Sequence, residues 1–310
     1  MRSCTLMVAA VIVIVIASPA LAHAQERALP VQEIAAGVFV HEGRIALASS
    51  DNDGAIANIG FIIGTQAVAV IDTGGSVREG RRLLAAIRAR TGAPIRYVIN
   101  THGHPDHMFG NAAFVADGVQ FVGHHRLPQA MATRGPFYLD SFRRIMGDAL
   151  LNDVRIVPPT LLVNGSLALD LGERTVIIQA WPVAHSDNDV TVFDQDSKTL
   201  FAGDLVFIRH IPVLDGSIKN WLGILDDLAA LPARRVVPGH GPVSDWPGAL
   251  ADERRYLGTL ATDIRRDVVG GRPIRQAAEQ AAASERQRWQ LFEDYNIRNA
   301  TAAYSQFEWE

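Results

Sequence analysis

Thr101-His102-Gly103-His104-Pro105-Asp106-His107 packs four metal-ligand side chains, His102, His104, Asp106 and His107, into six residues directly after a stretch, 95–100, that reads as a strand. Three of the chain's 10 histidines lie in this stretch. A regular strand would send 102 and 104 to one face and 107 to the other, so these side chains converge only where the backbone leaves strand geometry. Gly103 and Pro105 stand between them, and the reading is a tight non-helical loop at a strand end. Imidazole together with carboxylate suits zinc, with iron or manganese also compatible. A polar surface loop with unconnected histidines does not account for ligand-type residues at this density.

Working outward, the first two-thirds of the chain alternates short apolar runs with turn residues. Runs 57–63 and 67–71, separated by Gly64-Thr65-Gln66, read as a hairpin of buried strands. Ser76-Val77-Arg78-Glu79 fits a capping box ahead of a helix carrying Leu83, Leu84 and Ile87 on one face, with Gly92 at its stop. Further strands are expected at 120–122, 167–169, 176–179, 190–193, 199–201 and 236–238. Trp221, Ile224, Leu225 and Leu228 recur at helical spacing before Pro232 and read as core. From Pro247 onward strand signals vanish, and 247–269 and 273–304 read as two charged amphipathic helices.

The 101–107 stretch resembles the His-x-His-x-Asp-His signature of the metallo-β-lactamase superfamily, and the later elements of that signature follow in order. His185 lies within Trp181-Pro182-Val183-Ala184-His185-Ser186-Asp187-Asn188-Asp189, Asp204 ends Leu200-Phe201-Ala202-Gly203-Asp204, and His240 sits between Gly239 and Gly241. Asp72, in Val70-Ile71-Asp72-Thr73-Gly74, matches a family position that supports the metal loop from behind. Singly, His185 or Asp204 would read as an ordinary loop or turn residue; as a set they cover residues 33–245. The resemblance implies an α/β fold, a four-layer αββα sandwich over 25–246, with 247–310 as a C-terminal helical extension. It also implies two zinc ions, one held by His102, His104, His185 and Asp204, the other by Asp106, His107, His240 and a bridging Asp204. A shared carboxylate and a metal-bridging hydroxide reduce the repulsion of two close dications and supply a nucleophile at neutral pH, with Asp106 orienting it as the catalytic residue.

Residues 1–24 have the layout of a secretory signal peptide: Arg2, an unbroken apolar run at 6–17, then Ser18-Pro19-Ala20-Leu21-Ala22-His23-Ala24. The run is too short to cross roughly 30 Å of hydrocarbon comfortably, and the expectation is a periplasmic or secreted protein with no membrane attachment after cleavage. The one cysteine, Cys4, lies in that segment, so the remainder has no thiolate ligand or nucleophile. A formal net charge of −4, without a basic run, argues against a nucleic-acid partner and leaves a small-molecule substrate.

β-Lactamases of the family usually carry Cys or Ser where this chain has Asp204, which favours the glyoxalase II, thioesterase and general hydrolase branches. Glyoxalase II grips glutathione through a C-terminal helical domain, and no equivalent basic residue is placed after Pro247 here. The chain is similar to exported zinc metallohydrolases associated with quinoprotein (pyrroloquinoline quinone) dehydrogenases, a sulfur-oxidation-protein-like subgroup. The stretches Asp215-Gly216-Ser217-Ile218-Lys219-Asn220-Trp221-Leu222 and Asn299-Ala300-Thr301-Ala302-Ala303-Tyr304 carry that likeness. It implies a functional link to a quinoprotein dehydrogenase. The expected reaction is cleavage of a small ester, thioester or lactone; β-lactam cleavage, an iron-dependent sulfur dioxygenase-like activity and a non-catalytic accessory role stay open. His210 and Lys219 are candidate pocket residues, the latter for an anionic substrate, against a solvated lysine as the plain reading. Phe137 and Tyr138 read as packing residues before a lid, and His124 and His125 as surface or packing histidines.

Overall fold

Strands buried on both faces are mostly apolar, and the runs found in the sequence have that property because each sheet lies between a helical layer and the other sheet, with buried Asn58, Thr191 and Thr199 among the exceptions. The computed structural model describes residues 27–309; the expected leader at 1–24 lies outside them. Seven strands form the first sheet in chain order: β1 (Gln32–Ala35), β2 (Val38–His41), β3 (Ile59–Ile63), β4 (Val68–Ile71), β5 (Ile95–Ile99), β6 (Gln120–His124) and β7 (Leu161–Val163). Pairing is antiparallel from β1 to β4 and parallel from β4 to β7. Six strands form the second: β8 (Ser166–Asp170), β9 (Thr175–Ala180), β10 (Val190–Asp194), β11 (Thr199–Phe207), β12 (Arg235–His240) and β13 (Ser244–Asp245), antiparallel except for β11 beside β12.

Side chains alternate between the layers with period two. Val38, Val40, Ile62, Ile71 and Ile99 face inward against Val176, Ile178, Val190, Val192 and Phe201 of the second sheet. The intervening Phe39, Phe61, Val70 and Val98 face outward onto Leu83, Ala86 and Ile87 of α1 (Val77–Arg88). The sites of interest follow the carboxyl ends of β4, β5 and β12, a turn after β9, and a point within β11.

Two elements shape the region above those ends. The metal-motif segment is not wholly a loop: after Gly103 it enters the one-turn helix α2 (Pro105–Met108), with Pro105 at its first turn, where a missing N–H costs nothing. A long helix, α3 (Leu127–Met146), which the sequence reading did not anticipate, passes nearby and is followed by the short α4 (Asp148–Leu151). Its mixed composition and internal Pro136 hide the helical period, and Leu127, Met131 and Met146 hold it to Met108 and Phe109.

On the far face, Trp221, Leu225 and Leu228 of α5 (Ile218–Ala229) and Tyr256, Leu257, Leu260 and Ile264 of α6 (Leu250–Val269) cover the second sheet. The helix expected over 273–304 is broken into α7 (Ile274–Gln280), a 3-10 segment and α8 (Phe292–Phe307). Tertiary hydrogen bonds outcompete the helix there. Ala282 N donates to Asp263 (3.0 Å), Gln290 N to Arg209 O (2.8 Å), and Ile211 N to Gln290 O (3.1 Å). Buried Asn299 of α8 accepts from Leu214 N (2.9 Å) and donates to Pro212 O (2.6 Å). The C-terminal helices are thereby tied to the loop between β11 and α5. No helix among the described residues is long and apolar enough to cross a membrane.

The cap of α1 differs from the expected box. Ser76 Oγ accepts from Glu79 N (3.2 Å), but the Glu79 carboxylate accepts from Gly75 N (2.9 Å) instead of returning to Ser76, and α1 ends at Arg88, short of Gly92. Burial pushes the Glu79 carboxyl up to about 8, against the Gly75 N–H, which favours the ionised form. The folded state therefore holds an extra proton between about 4.5 and about 8, and stability falls as pH rises through that window. Glu79→Gln keeps an acceptor without the charge and flattens the fall. Urea melts of both proteins near pH 5 and near pH 8 check this, and equal drops in the two would count against it.

Candidate active site

Five histidines and two aspartates from separate segments meet at the strand ends. Asp204 lies within β11 just after Gly203, whose positive φ of 54° and lack of a side chain let the strand pass Thr101; a Cβ there would lie 2.7 Å from Thr101 Cβ. Gly239, before His240, is more constrained still: a Cβ would stand 1.8 Å from Asp204 Oδ1. Asp204 is 4% exposed, and His102, His107, His185 and His240 are buried with it.

The donor atoms fall into two groups. In one, His104 Nδ1 lies 2.9 Å from His102 Nε2 and 3.0 Å from His185 Nε2, and Asp204 Oδ2 lies 3.8 and 3.5 Å from the same two nitrogens. In the other, Asp204 Oδ1 is 3.1 Å from His107 Nε2 and 3.5 Å from His240 Nε2, and Asp106 Oδ2 is 3.7 and 3.3 Å from them. One carboxylate thus presents one oxygen to each group. Ligands held at 2.0–2.2 Å around a tetrahedral ion stand about 3.4 Å apart, and both groups scatter around that spacing. His107 Nε2 and Asp204 Oδ1 are buried without a hydrogen-bond partner, an arrangement that a cation between them would satisfy. The residues fit a divalent ion in each group.

Each imidazole is turned by its second nitrogen. His107 Nδ1 donates to Asp72 Oδ2 (2.8 Å), His104 Nε2 to Asp215 Oδ2 (3.2 Å), His185 Nδ1 to Val213 O (2.7 Å), His240 Nδ1 to Ile56 O (3.0 Å) and His102 Nδ1 to Thr101 Oγ1 (3.2 Å). Asp72 also accepts from Thr101 N (2.8 Å) and Thr101 Oγ1 (2.7 Å), so it fixes the exit from β5 as well as one ring. The His185 turn is closed by Asp189, which accepts from Ser186 N (2.8 Å) and Oγ (2.6 Å).

The charges follow this layout. Burial drives His102 well below its ordinary value and His185 to about 4, which leaves both neutral. Burial opposes charge on His107 and His240 too, but Asp204 and its neighbouring carboxylates outweigh it; His107 is held well above its ordinary value and His240 reaches about 9. Asp204 is held well below the carboxylate range, since four imidazoles outweigh its burial, and Asp106 lies at about 2. The cluster demands positive charge.

A cavity of about 380 Å³ opens over these groups. His104, Asp106, Asp204 and His240 form its floor. His210 lines it, buried, with its ring 4.8 Å from that of His240 and 5.5 Å from that of Tyr295. Lys219, in the first turn of α5, is not among the lining residues. Several lining residues escaped the sequence reading. Tyr138, read as packing, faces the cavity with Phe142 and Ile145 of α3, while Phe137 is 68% exposed. Arg298, from the region after Pro247 where no basic residue was placed, also lines it, with Tyr295. Only the helical period of α8 could have pointed to the pair, and it does not say which layer the helix joins. His124 is buried and His125 exposed, both away from this cavity.

The metallo-beta-lactamase superfamily model matches residues 52–240, which includes all seven of these ligand-type side chains. The chain belongs to the metallo-beta-lactamase superfamily. This superfamily member is 30% identical over 222 residues to acyl-coenzyme A thioesterase MBLAC2 of Bos taurus, covering 59% of this chain and 72% of the relative. It is 25% identical over 210 residues to a linear primary-alkylsulfatase of Pseudomonas, covering 56% of this chain but 40% of that one. Among solved structures, a metallo-beta-lactamase from Pontibacter korlensis superposes with a TM-score of 0.61 at 20% identity, over 74% of this chain and 99% of the other. The sec-alkylsulfatase Pisa1 from Pseudomonas superposes at 0.69 and 15% identity, over 89% of this chain and half of the other. These structural likenesses speak to the fold: the sandwich of two sheets between helices is the family's, and this chain carries C-terminal helices beside it. The chain is a metal-dependent hydrolase of that fold.

Removing the Asp72 carboxylate frees His107 and leaves Thr101 N unpaired. Asp72→Ala is expected to weaken divalent metal affinity by ~10–100-fold, read by competition with a chromogenic chelator; an affinity equal to wild type would contradict this positioning role.

Proposed function

We propose that the chain is an exported binuclear zinc hydrolase that cleaves a small ester, thioester or lactone. The observation that carries this reading is the Asp204 carboxylate, with one oxygen toward each imidazole group at the floor of a cavity. The donor set, imidazole and carboxylate without thiolate, suits zinc. A relative named as an acyl-coenzyme A thioesterase supports a thioester or ester among the candidate bonds. Export rests on the layout of residues 1–24. The quinoprotein-associated subgroup rests on 215–222 and 299–304, whose members Asp215 and Asn299 both brace the loop beside the site.

When bound, a pair of divalent ions supplies an ionised water at neutral pH and polarises the oxygen of the scissile bond. His102, His104 and His185 would hold one, Asp106, His107 and His240 the other, with Asp204 between. The chain's own part in the chemistry falls to Asp106. It is 9% exposed, lines the cavity floor and is ionised at neutral pH, so its carboxylate can take up the proton that the water gives up on becoming the nucleophile and return it to the leaving group. His210, shifted down to about 4 chiefly by burial and held by its own Ile211 O (2.6 Å), stays neutral and presents an uncharged ring to the substrate.

Elemental analysis of protein purified without added metal, run beside a panel of chromogenic esters, thioesters, lactones and a β-lactam, tests the reading. About two zinc ions per chain with ester or thioester turnover are expected; iron would favour a redox role, and retained metal without any turnover an accessory one. Asp106→Ala should lower kcat by at least ~100-fold in protein that is still folded by circular dichroism. An unaltered rate in that variant removes Asp106 from the mechanism.

A further inference from the structure

The lining of the cavity is mixed. Leu47 and Ile56, from the segment between β2 and β3, and Phe142 and Ile145 of α3 give it apolar surface, and His210, Tyr295 and Arg298 give it polar groups. Leu47 and Ile145 remain 47% and 52% exposed although they border a cavity, so apolar surface lies open where a substrate would cover it. Acidic side chains lining the cavity are Asp106 and Asp204, both committed to the floor.

Arg298 differs from an ordinary surface arginine in how its partner is shared. Asp215 Oδ1 accepts from Arg298 Nη2 (3.1 Å), while its Oδ2 accepts from both Arg134 Nη1 (2.9 Å) and His104 Nε2 (3.2 Å). Arg134 also lies 3.9 Å from Asp187. A guanidinium carries five N–H donors in a planar fork, and Asp215 takes one of those on Arg298. The bond fixes the side chain at the cavity edge, and the rest of the fork suits an oxyanion.

We propose that the site selects an amphiphilic substrate, with an apolar chain against Leu47, Ile56, Phe142 and Ile145, and an oxyanion group, carboxylate or phosphate, at Arg298. This rests on the hydrolase reading and adds the substrate class. A cavity of about 380 Å³ is at the small end of ligand sites, so the chain is of modest length and any larger head group extends past Arg298 into solvent.

Uncleavable thioethers test selection apart from turnover. Binding of (hexylthio)acetate, (hexylthio)methylphosphonate and the neutral (hexylthio)acetamide to the zinc-loaded protein is measured by calorimetry, for wild type, Arg298→Met, Arg298→Lys and Phe142→Ala. At least one anion should bind roughly tenfold or more tightly than the amide. That advantage should largely disappear in Arg298→Met and survive in part in Arg298→Lys. Phe142→Ala should weaken all three probes by about tenfold. Equal binding of anion and amide to wild type would overturn the proposal without reference to any variant. An advantage unchanged in Arg298→Met would also overturn it, because the anion would then lie on the floor. Selectivity without turnover of any ester would count against the hydrolase reading alone, and turnover without selectivity against this one alone.

Discussion

A carboxylate buried among imidazoles is tolerable only where its charge is answered on every side, and Asp204 imposes that condition on the whole molecule. Four histidines surround it, from the β5–α2 segment, the turn after β9 and the end of β12. For those elements to end at one place, two sheets must stack with their strand ends in line. Gly203 and Gly239 clear the last ångströms, and Asp72, Asp215 and the carbonyls of Ile56 and Val213 turn the rings. The site is thus the point at which the sandwich is most tightly determined.

The C-terminal helices belong to this arrangement more closely than a helical extension suggests. Asn299 holds the backbone of Pro212 and Leu214, Val213 O orients His185, and Asp215 reaches His104. Gln290 pairs with Arg209 and Ile211 on either side of His210. The loop after β11 is therefore held between a helix on one side and two imidazoles on the other.

The floor of the site was legible in the sequence because few residue types can ligate a metal, so His102, His104, Asp106, His107, His185, Asp204 and His240 stand out even when far apart. Strands at 59–63 and 68–71 were legible for a related reason, since burial on both faces leaves no polar position to blur them, and 190–194 was legible despite its buried Thr191 and Asp194. The walls were not. Apolar and basic residues such as Phe142 and Arg298 are common on any helix, and only tertiary packing directs them to the cavity. Helix α3 hides behind Gly135-Pro136, and the break at 281–291 is made by hydrogen bonds to Asp263 and the 209–211 loop that no local pattern announces. The edge strands β1, β7 and β13 are too short for alternation to register.

Floor and walls also rest on different scaffolding: strand ends carry the groups that do chemistry, and two outer helices carry the surfaces that admit a substrate. Changes of the cavity-facing side chains Phe142 and Ile145 of α3 or Tyr295 of α8 would alter what enters while the reactive centre keeps its geometry. Asp215 is the exception, touching both. A fold divided in this way can diversify its diet cheaply everywhere but at that one hinge between recognition and reactivity.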